Sequence, residues 1–443
     1  MDYIFFIFLI ALSVGGAILG CLTGLVPGLH VNNIAIILLS LSPFIISLFS
    51  FIREGDASLL IAAFITSVAL SHTFINILPA TFVGAPEEDT ALSVLPAHSL
   101  LLEGKGYEAI YLSAIGSLGA VIFSFLILYP IRFVLIEPIC LYSTLKEIMA
   151  WVLIAIVIIM IATEKTKIEL FHVRSSKIKN ILGMLTALFV FLLSGIFGII
   201  LGKLRVESPV GLPAPILFPA LSGLFGMPTL IQSYLTRPDI PKQIVEDPVV
   251  IEKGKTILST ITGSLAGILV SIIPGITSAT GTVLAMTARG EADKRQTIIT
   301  LSAVNTACTF FVTAVLFMIL RPRSGAAIAV NELITVNRWN NLFILPLNLI
   351  VLIIAMIISS AVSFNATIFL GKRFAEKFTN IPYQKLIKAA MFLLSFLVTL
   401  FTGVIGLLIF ILATFIGLIP VSWGVRRSHC MGILLLPIIL AFI

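Results

Sequence analysis

The chain has 443 residues, 59% of them hydrophobic and 11% charged, with a mean hydropathy of +1.15. That composition excludes a water-soluble domain and predicts a polytopic, all-α membrane protein; the apolar runs are continuous rather than alternating, which excludes a β-barrel. The net charge of +7 sits on Lys and Arg in loops between apolar runs, the positive-inside pattern of a membrane protein and not a nucleic-acid-binding surface.

Residues 3–26 form the first apolar run. It follows Asp2 rather than a basic flank and is too long for a signal peptide, so it is expected to be a retained helix ending at Pro27-Gly28. Residues 34–52 make a second helix, closed by Arg53, Glu54 and Asp56. Residues 57–83 make a third, carrying His72, Thr73 and Asn76 and interrupted by Pro79. A polar stretch runs from Gly84 to Ile110, and spans are expected at about 109–135 and 148–163. The most basic loop, 164–180, precedes a span at 181–202. The segment 213–235 carries Pro213, Pro215, Pro219 and Pro228 and reads as a broken or tilted span. After a polar loop at 237–255 comes a second interrupted element, 257–289, followed by spans at about 296–320 and 342–363. A basic loop (Lys372, Arg373, Lys377, Lys385, Lys388) leads to the long apolar stretch 389–420, with a break expected near Gly403; Arg426 and Arg427 precede a short apolar tail. Cys21, Cys140, Cys308 and Cys430 lack metal or redox spacing and read as small buried hydrophobes.

One pattern is written twice. Gly16-x3-Gly20-x3-Gly24-x2-Pro27-Gly28 recurs as Gly263-x3-Gly267-x3-Ser271-x2-Pro274-Gly275. Small residues at every fourth position let another backbone approach closely, and Pro-Gly then ends the helix, leaving free carbonyls before the break and free N–H groups after it. Inside a bilayer such groups are tolerated only in protein or beside a watery cavity, and paired breaks point to a transporter's binding site. Placing every heavily basic loop in the cytoplasm makes the two hairpins enter from opposite faces, provided that 213–235 crosses. The expectation is therefore about 10–12 transmembrane helices in two inverted-topology repeats, each starting with a Pro-Gly-broken hairpin. Residues 1–203 are the first repeat (hairpin 3–52), 204–256 a linker with the Pro-rich span, 257–420 the second repeat (hairpin 257–289) and 421–443 a C-terminal tail. The N-terminus is expected outside a multi-pass cytoplasmic-membrane protein.

The substrate site is expected at the breaks: Pro27, Gly28, His30, Asn32 and Asn33 in the first copy, Pro274, Gly275, Thr277, Ser278 and Thr280 in the second. Helix N-termini there aim N–H groups and partial positive charge at an anion. Free carbonyls around Val26, Pro27, Ile273 and Pro274 suit a coupling Na⁺, while a titrating His72 keeps H⁺ open. The plainer reading of each break is a kink between packed helices. His72, Thr73 and Asn76, and Asn305, Thr306 and Thr309, put polar groups in the helix following each break, as pathway lining or as interhelical glue. Arg321 and Arg323 fall on the outer face, where they attract an anion or form a solvated helix end. Glu87, Glu88 and Asp89 read as a solvated turn. With no phosphate loop, nucleophile elbow or metal-binding helix, neither an enzyme nor a cofactor nor a firm metal site is expected.

GCLTGLVPGLH, GAPEEDTAL with LPAHSLLLEGKGYEAI, PALSGLFGMPTL, GSLAGILVSIIPG, RPRSGAA and RRSHCMGILLLP occur in this order over most of the chain. Together they resemble the large membrane subunit of tripartite tricarboxylate transporters, the TctA-like permeases. The resemblance implies ion-driven uptake of small carboxylates, with Pro27, Gly28, Pro274 and Gly275 as substrate contacts. It also implies a small membrane subunit and an extracytoplasmic binding protein as partners. The compact length and the polar residues after each Pro-Gly resemble a stand-alone, archaeal-type branch. The competing readings are a polyprenyl-phosphate or other lipid-phosphate translocase, since a helix N-terminus binds phosphate as readily as carboxylate, and a membrane scaffold without transport.

Overall fold

A computed structural model describes residues 3–26, 31–49, 52–83, 94–164, 176–204, 206, 208–209, 216–236, 241–246, 249–273, 278–289, 293–341, 343–378 and 383–443. Every regular element among them is helical. The first half holds α1 (Tyr3–Gly24), α2 (Val31–Leu48), α3 (Glu54–Ile75), α4 (Ile77–Phe82), α5 (Val94–Leu102), α6 (Gly106–Leu135), α7 (Leu141–Glu147), α8 (Met149–Ala162) and α9 (Ser176–Leu201). Next come α10 (Leu217–Leu221), a π turn (Ser222–Gly226) and α11 (Met227–Thr236). The second half holds α12 (Lys253–Ile272), α13 (Ser278–Arg289), α14 (Lys294–Ile319), α15 (Gly325–Leu333), α16 (Leu347–Phe378) and α17 (Tyr383–Ser422), then a 3₁₀ turn (Arg427–Met431) and α18 (Gly432–Phe442). Eight helices among the described residues are long and apolar enough to cross a membrane, and Ile34–Leu48, Met149–Ala162 and Arg427–Phe442 are shorter apolar ones.

The expected breaks have physical origins visible here. The third span is interrupted at Asn76, three residues before the expected Pro79, because the ring of Pro79 clashes with the carbonyl four residues earlier and ends α3 at Ile75. Gly403 (φ 63°, ψ −161°) divides α17 at a backbone conformation that is essentially reserved for glycine. Of the Pro-rich segment, Leu217–Thr236 forms a helix interrupted by its π turn, Pro213 and Pro215 lying outside the described residues; of the polar stretch after Gly84, Val94–Leu102 is α5, and Glu87, Glu88 and Asp89 lie outside. At twelve residues, α13 spans about 18 Å, too short to cross alone.

The stripes of small residues do what their spacing predicts. A Cβ on Gly16 or Gly20 would sit 2.7 or 2.5 Å from the carbonyl oxygens of Phe64 or Val68 on α3; one on Gly263 or Gly267 would sit 2.5 Å from those of Thr300 or Val304 on α14. So α1 lies on α3 as α12 lies on α14, backbone to backbone. The halves then interlock: α6 packs on α12 and α14, and α16 packs on α1 and α3. Ser113 of α6 bonds Ser302 of α14 (2.7 Å), and Ser67 of α3 donates to the carbonyl of Ala355 on α16 (3.4 Å).

The exchange continues at the chain's end. Gly198 of α9 and Gly417 of α17 lie against the carbonyls of Ile433 and Leu224, while Gly432 and Gly223 lie against those of Phe191 and Phe410. The expected tail is thus a packed element, with α18 on α9 and the π-interrupted helix on α17. At the centre, α3 and α14 touch. In the α3–α4 span and in α14, 89% and 83% of the most apolar window is buried, against 33–56% in the other six spans. Both are studded with Ala, Ser and Thr, which pack against protein better than against lipid. Outer helices instead present large apolar side chains outward, among them Ile7, Ile18 and Leu22 of α1 and Leu412 and Phe415 of α17.

Candidate functional site

Polar side chains inside a bilayer need partners, so their partners trace the interior. His72 and Thr73 lie in the last turn of α3, Asn305 and Thr306 in the middle of α14, all buried. Thr73 Oγ1 and Thr306 Oγ1 are 3.1 Å apart. On one side, His72 Nδ1 lies 3.2 Å from Thr23 Oγ1, at the end of α1. On the other, Ser278 Oγ donates over 3.5 Å to Asn305 Oδ1, at the start of α13. Three hydrogen-bonded pairs, Thr23–His72, Thr73–Thr306 and Ser278–Asn305, linked only by adjacent positions on α3 and α14, therefore make a polar string from the last turn before the first break to the first turn after the second. Thr309 is turned back on its own helix, donating to the carbonyl of Asn305 (3.2 Å), and Asn76 is buried at the α3–α4 joint.

Pro27, Gly28, His30, Pro274, Gly275 and Thr277 lie outside the described residues, as do the side chains of Asn33 and Thr280. Of the proposed cation ligands, Val26 closes a turn on the carbonyl of Thr23 and Ile273 ends α12 in an extended conformation, while Pro27 and Pro274 fall outside. Among the described residues no cluster of three His, Cys, Asp or Glu could hold a metal ion.

Asn32 Oδ1 accepts from the N–H of Gly325 (2.8 Å), tying α2 to the start of α15. This also places the loop carrying Arg323 beside the first turn of α2. Arg323 stacks on Tyr142 (5.7 Å to the ring centroid) and donates Nη2 to its hydroxyl (3.2 Å), while Nε and Nη1 are buried without a protein acceptor among the described residues. Arg321 is exposed. Arg323 is thus a partly satisfied cation next to the broken hairpin, and Arg321 a solvated one.

Three features escaped the sequence reading. Thr23 gave no signal until its partner His72 was known. Glu164, at the end of α8, accepts from His429 Nε2 (2.5 Å) and Arg426 Nε (2.9 Å); an acid directly before the most basic loop was the available hint. Arg132 is buried beneath Trp339, donating to the carbonyls of Glu137 (2.9 Å) and Asn340 (2.8 Å).

The Tripartite tricarboxylate transporter TctA family matches residues 10–432. The chain belongs to this family. As a TctA-family protein it is a transporter permease, and its multi-pass helical fold agrees with that class. An uncharacterised protein of Methanocaldococcus jannaschii is 28% identical over 433 residues, covering 97% of each chain. No solved structure matches.

Proposed function

We propose that this TctA-family protein is a secondary active transporter that carries a small organic anion, of the di- or tricarboxylate class, across the cytoplasmic membrane by alternating access coupled to Na⁺ or H⁺. The observation that carries this reading is the polar string through Thr73 and Thr306, which connects the two broken hairpins across the most buried helices. Hydroxyls, an amide and an imidazole meet there and are paired with one another; such bonds also hold membrane helices together, and it is their position between the two breaks that favours a pathway. Two hairpins of equal design, each laid on a central helix through its glycines, are what an inverted-repeat carrier needs to expose one site alternately to either side. In this reading Pro27, Gly28, His30, Asn33, Pro274, Gly275, Thr277 and Thr280 flank the string. The N-termini of α2 and α13 face the anion, and the carbonyls before each break hold the cation. Arg323, beside the first turn of α2, attracts the anion from outside. The family name supports a small membrane subunit and an extracytoplasmic binding protein as partners.

The test is uptake of radiolabelled citrate and succinate by proteoliposomes under Na⁺ and pH gradients, with Thr73→Val and Thr306→Val for comparison. These near-isosteric changes remove a hydroxyl and are expected to slow uptake at least tenfold, about 1.4 kcal/mol, while the protein stays folded. Wild-type rates in both variants would rule out the string as the pathway. Binding of polyprenyl phosphate without carboxylate uptake would replace the substrate class with a lipid phosphate.

A further inference from the structure

Arg289 closes α13, at the same end of the bundle as the starts of α12 and α14. Its Nη1 donates to Ser259 Oγ (2.9 Å) and Thr300 Oγ1 (3.0 Å), with Thr262 Oγ1 farther off at 3.4 Å. Ser259 and Thr300 are wholly buried, on α12 and α14. Three neutral hydroxyls therefore grip one corner of the guanidinium and fix its plane. The opposite edge is different: Nε and Nη2 are buried, and neither has an acceptor among the described residues.

These two nitrogens direct parallel N–H bonds outward along one edge of the planar group, the fork that takes both oxygens of a carboxylate. Neighbouring cations do not share this condition. Lys294 holds Glu103 and Ser99, and Arg295 holds Glu108. Asp293, the nearest described acid in sequence, spends Oδ1 capping α14 at the N–H of Gln296 (2.7 Å); its charge acts on Arg289 through space without taking up the Nε and Nη2 edge. Leaving charged donors buried and unmet is unfavourable, so the arrangement suits an acceptor that comes and goes. Thr300 also lies six residues from Thr306 on α14, about 9 Å along the axis, within one substrate length of the central string.

We propose that Arg289 is a second anion station, a bidentate dock for one carboxylate of the transported substrate at the end of the pathway that the basic loops place in the cytoplasm. The station rests on the transporter reading and deepens it: the substrate passes from the central string to a preoriented fork before release. Ser259 and Thr300 are positioning residues, and the Arg289 guanidinium is the group that touches substrate. Lysine at this place keeps the charge but loses the fork, so a carboxylate ligand discriminates between the two.

The experiment measures the apparent KM for citrate from each side of oriented proteoliposomes for wild type, Arg289→Gln, Arg289→Lys and Ser259→Ala/Thr300→Ala, with inorganic phosphate as competitor. Arg289→Gln is expected to raise KM at least tenfold from the cytoplasmic side and less than twofold from the other. Arg289→Lys and the double variant are expected to fall between, and to serve in its place if Arg289→Gln does not fold. Equal KM values on the cytoplasmic side in wild type and Arg289→Lys overturn the fork while leaving the transporter intact. Competition by phosphate as strong as by succinate overturns the carboxylate assignment. Absence of any citrate or succinate transport by wild type overturns the di- or tricarboxylate reading of the carrier, and the station with it.

Discussion

Glu164 ties the segment after α8 to the far end of the chain. Its carboxylate is almost fully buried and shared by two donors from the far end of the chain, His429, also buried, and Arg426. Burial alone would raise its pKa; the hydrogen bonds from His429 and then Arg426 outweigh that and hold it below the ordinary carboxylate value. Because the folded-state pKa lies below the unfolded one, the contribution is present above about pH 4.3 and lost as pH falls through the folded value. Arg426 is a third exposed, so its share is screened and the buried His429 contact matters more. Glu164→Gln is expected to destabilise the protein by about 3 kcal/mol at pH 7 and to flatten the acid limb of a melting-temperature profile in detergent. Identical profiles for variant and wild type below pH 5 would show that the carboxylate is not charged in the fold. The central polar residues were legible one by one, because Thr73 and Thr306 are conspicuous in apolar runs. Their meeting was not, since 233 residues separate the partners. The same distance effect hid the commitment of Asn32 to Gly325.

Among elements, the two glycine-faced helices make the strongest demands on side-chain size. Gly20 leaves no room on α3, whereas Gly55, in the first turn of that helix, has nothing within 4 Å of a built Cβ. Gly20→Leu is expected to force α1 off α3, lowering the melting temperature by many degrees or preventing accumulation. Gly55→Ala is expected to be neutral or to gain about 0.5 kcal/mol through helix propensity; measuring both in detergent separates packing from propensity. This stripe could be read directly, because a four-residue repeat of small side chains has one geometric use in a membrane helix. The Gly403 break was legible for a different reason, an apolar run too long for one span with a glycine near its middle. The pairing of α9 with α18 was not read, although Ser194-x3-Gly198-x3-Gly202 carries the same four-residue spacing; Gly432 has no such stripe, and its partner was marked only by the distant contact itself.

At the scale of the whole molecule the halves are interlaced rather than side by side. α6 belongs with the helices of the second half and α16 with those of the first, so neither half encloses its own central helix. If the chain is divided between Asp247 and Pro248, each piece alone is expected to be degraded or aggregated, and co-expression is expected to return a stable complex that purifies on a tag carried by either half. A monodisperse first half on its own would contradict the interlacing. The burial of α3 also has a consequence in time. The helix leaves the ribosome some 240 residues before the end of α14, and at about 5–20 residues per second it waits on the order of ten to fifty seconds for the helix that brings Thr306 to Thr73, and longer for α16, which takes the hydrogen bond of Ser67. During that interval its polar face is unprotected against lipid. The order of synthesis therefore makes this protein a demanding client of whatever holds nascent helices at the membrane, and one whose yield should respond to the speed of translation between α6 and α14.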